Sequence, residues 1–242
     1  MSSSPSFLRQ PRTWVIAVVA LAVVIGGGLA VINAIQGDDA ERLSFEDIPS
    51  TTPDTDASST TADAGSTSDG LDGTWEVAEG TQAGYLVPET LFGNSVVAGG
   101  RTPDVTGSLV LAGTTITSTE ITVDMTTVTS DRSQRDGQFH GRIMSTDQFP
   151  EAIFELTEPI ELGSLPEDGA EVTAPVTGEL TLRGVTNAVT FEVKATRTGD
   201  QIAVLGTIPV NFDDYEIPDA SGGPAQVGRE GEVDLLLVFS KA

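Results

Sequence analysis

The sequence predicts an all-β protein: a closed antiparallel β-barrel with one short helical crossover, preceded by a transmembrane helix and a disordered linker. Three observations carry this reading. From residue 74 onward, short runs alternate apolar and polar side chains with the period of two that marks a strand buried on one face. The turns between them hold Gly, Asp or Asn, as in Ala112-Gly113, Arg183-Gly184-Val185-Thr186-Asn187 and Gly199-Asp200. One stretch, 129–156, interrupts the alternation with charge, aromatics and the only histidine. Strands with no helix between them pair antiparallel, and closing the sheet removes its edges.

In chain order, residues 1–13 form a cytoplasmic head with Arg9, Arg12 and no acid. Residues 14–35 are read as a transmembrane anchor: Trp14 to Ile32 is an uncharged apolar run, about 29 Å long as a helix against roughly 30 Å of bilayer hydrocarbon. A cleavable signal has a shorter apolar core, about 7–15 residues, and Ile32-Asn33-Ala34 is a poor cleavage site, so the anchor is expected to be retained. Basic residues before the run and Asp38, Asp39 and Glu41 after it put the N-terminus in the cytoplasm and the C-terminal domain outside. The expected location is the cell membrane, crossed once.

Residues 36–73 are read as a disordered, acidic, Ser/Thr-rich linker. Ten acids stand there against Arg42, with almost no large apolar side chain after Ile48. Such a segment cannot bury enough surface to offset the entropy of ordering it. Self-repulsion should extend it past the flexible-coil estimate of about 33 Å.

Residues 74–242 form the barrel domain. Inward positions are read at Trp75 and Val77; Tyr85 and Val87; Val105, Leu109 and Leu111; Ile121, Val123 and Met125; Phe154 and Leu156. The series continues with Val176, Leu180 and Leu182; Val189, Phe191 and Val193; Ile202, Val204 and Ile208; and Val233, Leu235, Leu237 and Phe239. That makes eight or nine strands. Within the crossover, Ser130 or Asp131 is expected to cap a turn carrying Arg132, Arg135 and Phe139, and Ser145 to Asp147 a second turn ending before Pro150. The crossover is thus a lid or plug over one end. Arg135 and Asp136 are read as a structural charge pair fixing it to a strand end, with a clamp on a ligand headgroup as the alternative.

Composition excludes several functions. A formal charge of −24 without any basic cluster argues against nucleic acid as a partner. With no cysteine there is no thiolate nucleophile or Cys-ligated metal. His140 alone is too few ligands for zinc, and no glycine-flanked nucleophile accompanies it, so no catalytic and no metal-binding residue is assigned. The acids at Asp131, Asp136 and Asp147 lack the spacing of a calcium loop. Two readings of the interior stay open. Ile121, Val123, Met125, Phe154, Leu180, Leu182, Phe191 and Phe239 could fill the barrel by packing on one another. Alternatively, Thr117, Thr119 and Gly178 share the inward register and leave room, with Met125, Met144 and Phe139 as adaptable liners near the lid.

Several stretches resemble the YceI-like family. They are Ser130-Asp131 with Arg135-Asp136, Phe149-Pro150-Glu151-Ala152-Ile153-Phe154, Gly178-Glu179-Leu180-Thr181-Leu182-Arg183-Gly184-Val185-Thr186 and Pro209-Val210-Asn211-Phe212-Asp213-Asp214-Tyr215. The resemblance covers the domain from about Thr74 to Ala242 and implies an eight-stranded, lipocalin-like barrel that binds a lipid or polyisoprenoid along its axis, in the cell envelope. On that basis Met125, Phe139, Met144, Phe154, Leu180, Leu182 and Phe191 are the expected ligand contacts. No cofactor is expected beyond the bound lipid, and the partners are that ligand, the membrane through the N-terminal helix and, left open, a second copy in a homodimer. The first strands depart from the family, with Gln82-Ala83-Gly84-Tyr85-Leu86-Val87 in place of the commoner opening, so no ligand contact carries over there. The competing expectation is a sealed barrel that meets partners through its acidic outer face.

Overall fold

Each strand pairs with its neighbours in sequence until the last returns to the first. The computed structural model describes residues 39–49, 70–163, 165 and 167–242; the predicted head, the predicted anchor at 14–35 and most of the predicted linker lie outside them. The segments are β1 (Gly73–Val77), β2 (Gln82–Leu91), β3 (Asn94–Thr102), β4 (Val105–Ala112), β5 (Thr115–Asp124) and β6 (Thr129–Ser130). After helix α1 (Ser133–Gln138) come β7 (Glu151–Leu156), β8 (Ile160–Glu161), β9 (Glu171–Leu182), β10 (Val185–Thr198), β11 (Gln201–Asn211), β12 (Ala225–Val227) and β13 (Glu230–Lys241).

These segments make eight strand lines. β1 and β2 are halves of one bent strand, because both pair with the β3–β4 line on one side and with β13 on the other. β5 and β6 likewise share the β3–β4 line, and β7 and β8 both pair with β5. β13 closes the barrel: Glu232 to Leu236 pair with β2, and Phe239 to Lys241 with β1. The expectation of a closed, antiparallel, eight-stranded barrel with one short helix holds.

The core sits inside the barrel, where Trp75, Ile208 and Phe239 are each 1% exposed. Along β9 the alternation is strict, with Ala174, Val176, Gly178, Leu180 and Leu182 buried between more exposed neighbours. One inward assignment fails. A bulge between β4 and β5 pairs Leu111 with Ile116 while Val110 stays with Ser118, so Ile116 packs on the core and Thr117 is exposed. An extra residue reverses the facing of everything beyond it.

The linker expectation also changes. Residues 39–49 lie as a strap across the outside of the barrel. The Ala40 amide donates to the Val97 carbonyl (2.9 Å), and the Val97 amide to Asp39 Oδ1 (2.9 Å). The Leu43 amide donates to Asp234 Oδ2 (2.8 Å), and Leu43 is 6% exposed. A Cβ on Gly80 would meet Pro49, Val238 and Ile48, which locates the strap's far end. The physical reason lies in β13, whose outward Leu236 and Val238 are as buried as its inward Leu237 and Phe239. A sheet face that apolar has to be covered. Residues 50–69 lie outside the described residues. Among the described residues, no helix is long and apolar enough to cross a membrane.

Candidate functional site

The crossover closes the barrel end at which β2, β6, β9 and β11 finish. α1 has Arg132 at its N-cap without a side-chain cap, and passes directly into a π-helical turn, Phe139–Ile143. Neither Ser130 nor Asp131 caps it. Instead Asp136 reaches back and accepts the Ser130 amide (2.8 Å) and hydroxyl (2.6 Å), fastening the helix to β6. Arg135 does not pair with Asp136. Its guanidinium bonds Asp131 and lies 3.3 Å from Glu89 Oε1 on β2, so the crossover is fixed to a strand end through a different carboxylate. The second predicted cap is a tight turn, with the Gln148 and Phe149 amides on the Ser145 carbonyl.

Below the crossover, Phe139 stacks on Tyr85 with ring centroids 5.0 Å apart. Burial pushes the Tyr85 phenol well above its ordinary value, against the pull of the Arg135 guanidinium. It stays a neutral hydroxyl at the boundary between the apolar interior and the Arg135–Glu89 pair. His140 Nδ1 lies 3.4 Å from Thr146 Oγ1. Among the described residues, no group of three or more His, Cys, Asp or Glu is placed to hold a metal.

All seven residues expected to contact ligand belong to one apolar cluster or pack against it. Phe154 on β7 stands opposite Leu180 on β9, and its ring meets Phe191 on β10 edge to face at 5.6 Å. Leu182 continues this wall toward the crossover, where Phe139 and Met144 are buried; Met125, just after β5, is half-buried. Gly178 makes the wall possible: a Cβ there would lie 2.5 Å from Phe154 Cζ. The inner face is not uniformly covered. Phe154, Leu156, Val189, Val193 and Val204 occupy inward positions yet keep intermediate exposure, whereas Leu180 is 4% exposed.

The stretches that carry the sequence resemblance converge at the crossover end. The Arg183 guanidinium lies over the Phe149 ring at 5.6 Å, and its Nη1 donates to the Glu216 carbonyl (2.7 Å). Asn187 Nδ2 donates to the Asp214 carbonyl (2.7 Å). Gly184 has φ +77°, and a Cβ there would sit 2.7 Å from Phe149. These residues therefore join β7, the β9–β10 turn and the segment after β11; their pattern in the sequence reports how that end is assembled. Sequence reasoning placed Tyr85 inward without assigning it to this site, and missed Glu89 and the strap. Tyr85 and Glu89 had a signal, since both fall on the inward parity of β2.

A closed meander barrel of eight strands, with an apolar inner wall and a crossover over one end, encloses a space just large enough for packed side chains or one small ligand. The chain belongs to the YceI-like domain family, which matches residues 76–239. It is 35% identical over 124 residues to Protein YceI of Shigella flexneri, covering 48% of this chain and 58% of that protein. It is 28% identical over 121 residues to a UPF0312 protein of Vibrio parahaemolyticus, covering 47% of this chain and 60% of that one. The match thus spans less than two thirds of the length of these relatives. Among solved structures, it is similar in fold to a polyisoprenoid binding domain from Saccharophagus degradans, with TM-score 0.57, 14% identity and coverage of 71% of this chain and 99% of that one. It is also similar to Burkholderia cenocepacia BcnA, with TM-score 0.51, 19% identity and coverage of 65% and 95%.

Proposed function

We propose that this protein is a membrane-anchored, extracytoplasmic carrier or buffer for a long apolar molecule, a lipid of the isoprenoid class, held inside the barrel. The observation that carries this reading is the inner wall of β7, β10 and β11, where Phe154, Val189, Val193 and Val204 face inward and remain within reach of solvent. Apolar side chains on the inside of a sealed core lose that exposure, whereas a ligand-holding barrel retains it until the ligand covers them. The fold likeness to a domain described as polyisoprenoid binding supports the ligand class. The wall offers Phe and branched aliphatic contacts with no charge, and the polar groups lie at the crossover, so an extended chain would run along the axis with any polar head toward Tyr85.

The apolar run from Trp14 to Ile32, flanked by Arg9 and Arg12 before and by acids after, supports the anchor and the outward placement of the barrel. Anchoring makes exchange with a nearby bilayer local rather than diffusive. The test is to purify the full chain from its membranes, extract it with organic solvent and identify the extract by mass spectrometry. A long-chain isoprenoid or other lipid recovered in near-equal amount to protein, above a detergent-matched control, is the expected result. Its absence favours a sealed barrel that acts through its acidic surface.

A further inference from the structure

The hairpin between β2 and β3 runs beyond the barrel. The last pair of β13 with β2 is Glu232 with Leu86, whereas β2 and β3 continue paired for five more residues to Leu91 and Asn94, with β12 taking over the other edge of β2 at Glu89 to Leu91 and the Phe92 amide donating to the Pro224 carbonyl (3.3 Å). At about 3.4 Å per residue the arm extends roughly 17 Å further along the strand. Its tip is Phe92-Gly93, with Phe92 at φ 51° and Gly93 at φ 84°. This is the left-handed, two-residue turn that favours Asn-Gly, and a bulky aromatic in its first position is strained. Phe92 is also 59% exposed, the one large exposed hydrophobic side chain among the described residues. An aromatic kept at a conformational cost and facing water gains nothing for the fold.

Two further facts indicate what it meets. Residues 90–100 carry no charge, in a chain whose formal net charge is −24. The strap begins beside this arm, with Ala40 and Asp39 bonded to Val97 on the outer edge of β3. Only residues 33–38 separate the end of the apolar run at Ile32 from that docked point, a reach of at most about 25 Å when fully extended. We propose that the Phe92 hairpin tip docks on the surface of the lipid bilayer, its uncharged residues 90–100 setting the crossover end of the barrel against the membrane. The inference rests on the anchor reading above and deepens it: exchange of ligand would take place at the end of the barrel that the crossover closes.

The chain has no cysteine, so a single introduced thiol can be labelled cleanly. The full chain carrying Asn94→Cys, or Asp200→Cys in the β10–β11 turn at the opposite end, is labelled with a polarity-sensitive fluorophore and reconstituted into phosphatidylcholine nanodiscs. The expected result is blue-shifted emission and loss of iodide quenching at 94 and not at 200. Adding Phe92→Asn, which suits the turn and should leave thermal stability no lower, should reduce the docked population by roughly tenfold or more, the partition change for one aromatic side chain. Co-elution of the chain with the nanodisc but with equal quenching at 94 and 200, or shielding at 94 that survives Phe92→Asn, overturns the docking and leaves the anchor standing. Failure to co-elute overturns both.

Discussion

Arg135 is the residue on which the crossover depends most. Its side chain is 19% exposed and faces Glu89, whose side chain is 9% exposed, so removing the cation strands a nearly buried carboxylate. Arg135→Ala should lower the unfolding free energy by on the order of 1–3 kcal/mol in urea denaturation. Asp131→Ala, which removes a 40% exposed partner, should cost under about 1 kcal/mol. That Arg135 is structural could be inferred because most charge pairs of this kind are structural. Its partner could not, because Glu89 lies 46 positions away and only the folded sheet brings it near. Asp234 gives a pH test with a definite sign. Burial raises its carboxyl above the ordinary value, opposed by the Leu43 amide and then by Arg101 and Arg42. The folded state then takes up a proton more readily than the unfolded one, so Asp234 contributes stability at low pH that is lost as pH rises through the raised value. Relative to Asp234→Asn, the native protein should therefore gain stability on acidification toward the ordinary carboxylate range, measured by urea unfolding at stepped pH.

Among the elements, the strap and the β4–β5 pair depart furthest from the sequence reading. Composition assigned residues 36–73 to one tether, since charge and Ser/Thr content dominate a window that long. The contrary signal lay elsewhere, in the unbroken apolar run from Leu235 to Phe239, which indicates a strand covered on both faces. Leu43 and Ile48 are the covering side chains, and Ala40 lies against Gly99 of β3. The amide of Leu43, bonded to a buried carboxylate, should exchange its hydrogen as slowly as its neighbours in β13, and Leu43→Ala should speed that exchange while lowering stability by about 2–3 kcal/mol. Rapid exchange in the native protein would mean that the strap is undocked in solution. At β4–β5 the alternation was read one residue too far, because a bulge leaves no mark in a run of Thr and Ser: Thr115 to Thr119 offers only one large apolar side chain to fix the facing.

At the scale of the whole molecule, the barrel was legible because every strand neighbours its successor: period-two runs joined by short turns allow little besides an antiparallel meander, and eight of them close. How full the barrel is was not legible. Alternation states which side chains face inward, but whether they meet depends on strand tilt and on small residues such as Gly178 and Gly206, which bring Phe154 and Phe191 close to the sheet. The central claim is that the space beside these rings admits a long apolar ligand. Val189 tests it better than Leu180, because it faces inward opposite Gly178 and is only partly buried, whereas Leu180 is already enclosed. The measurement is urea unfolding of delipidated Val189→Trp beside wild type, with a long-chain isoprenoid titrated into both and followed by tryptophan fluorescence. An open interior predicts a folded variant within about 1 kcal/mol of wild type that binds the isoprenoid at least tenfold more weakly. Destabilisation by about 1–3 kcal/mol or more, with no isoprenoid bound by wild type, would contradict the account and leave a filled barrel.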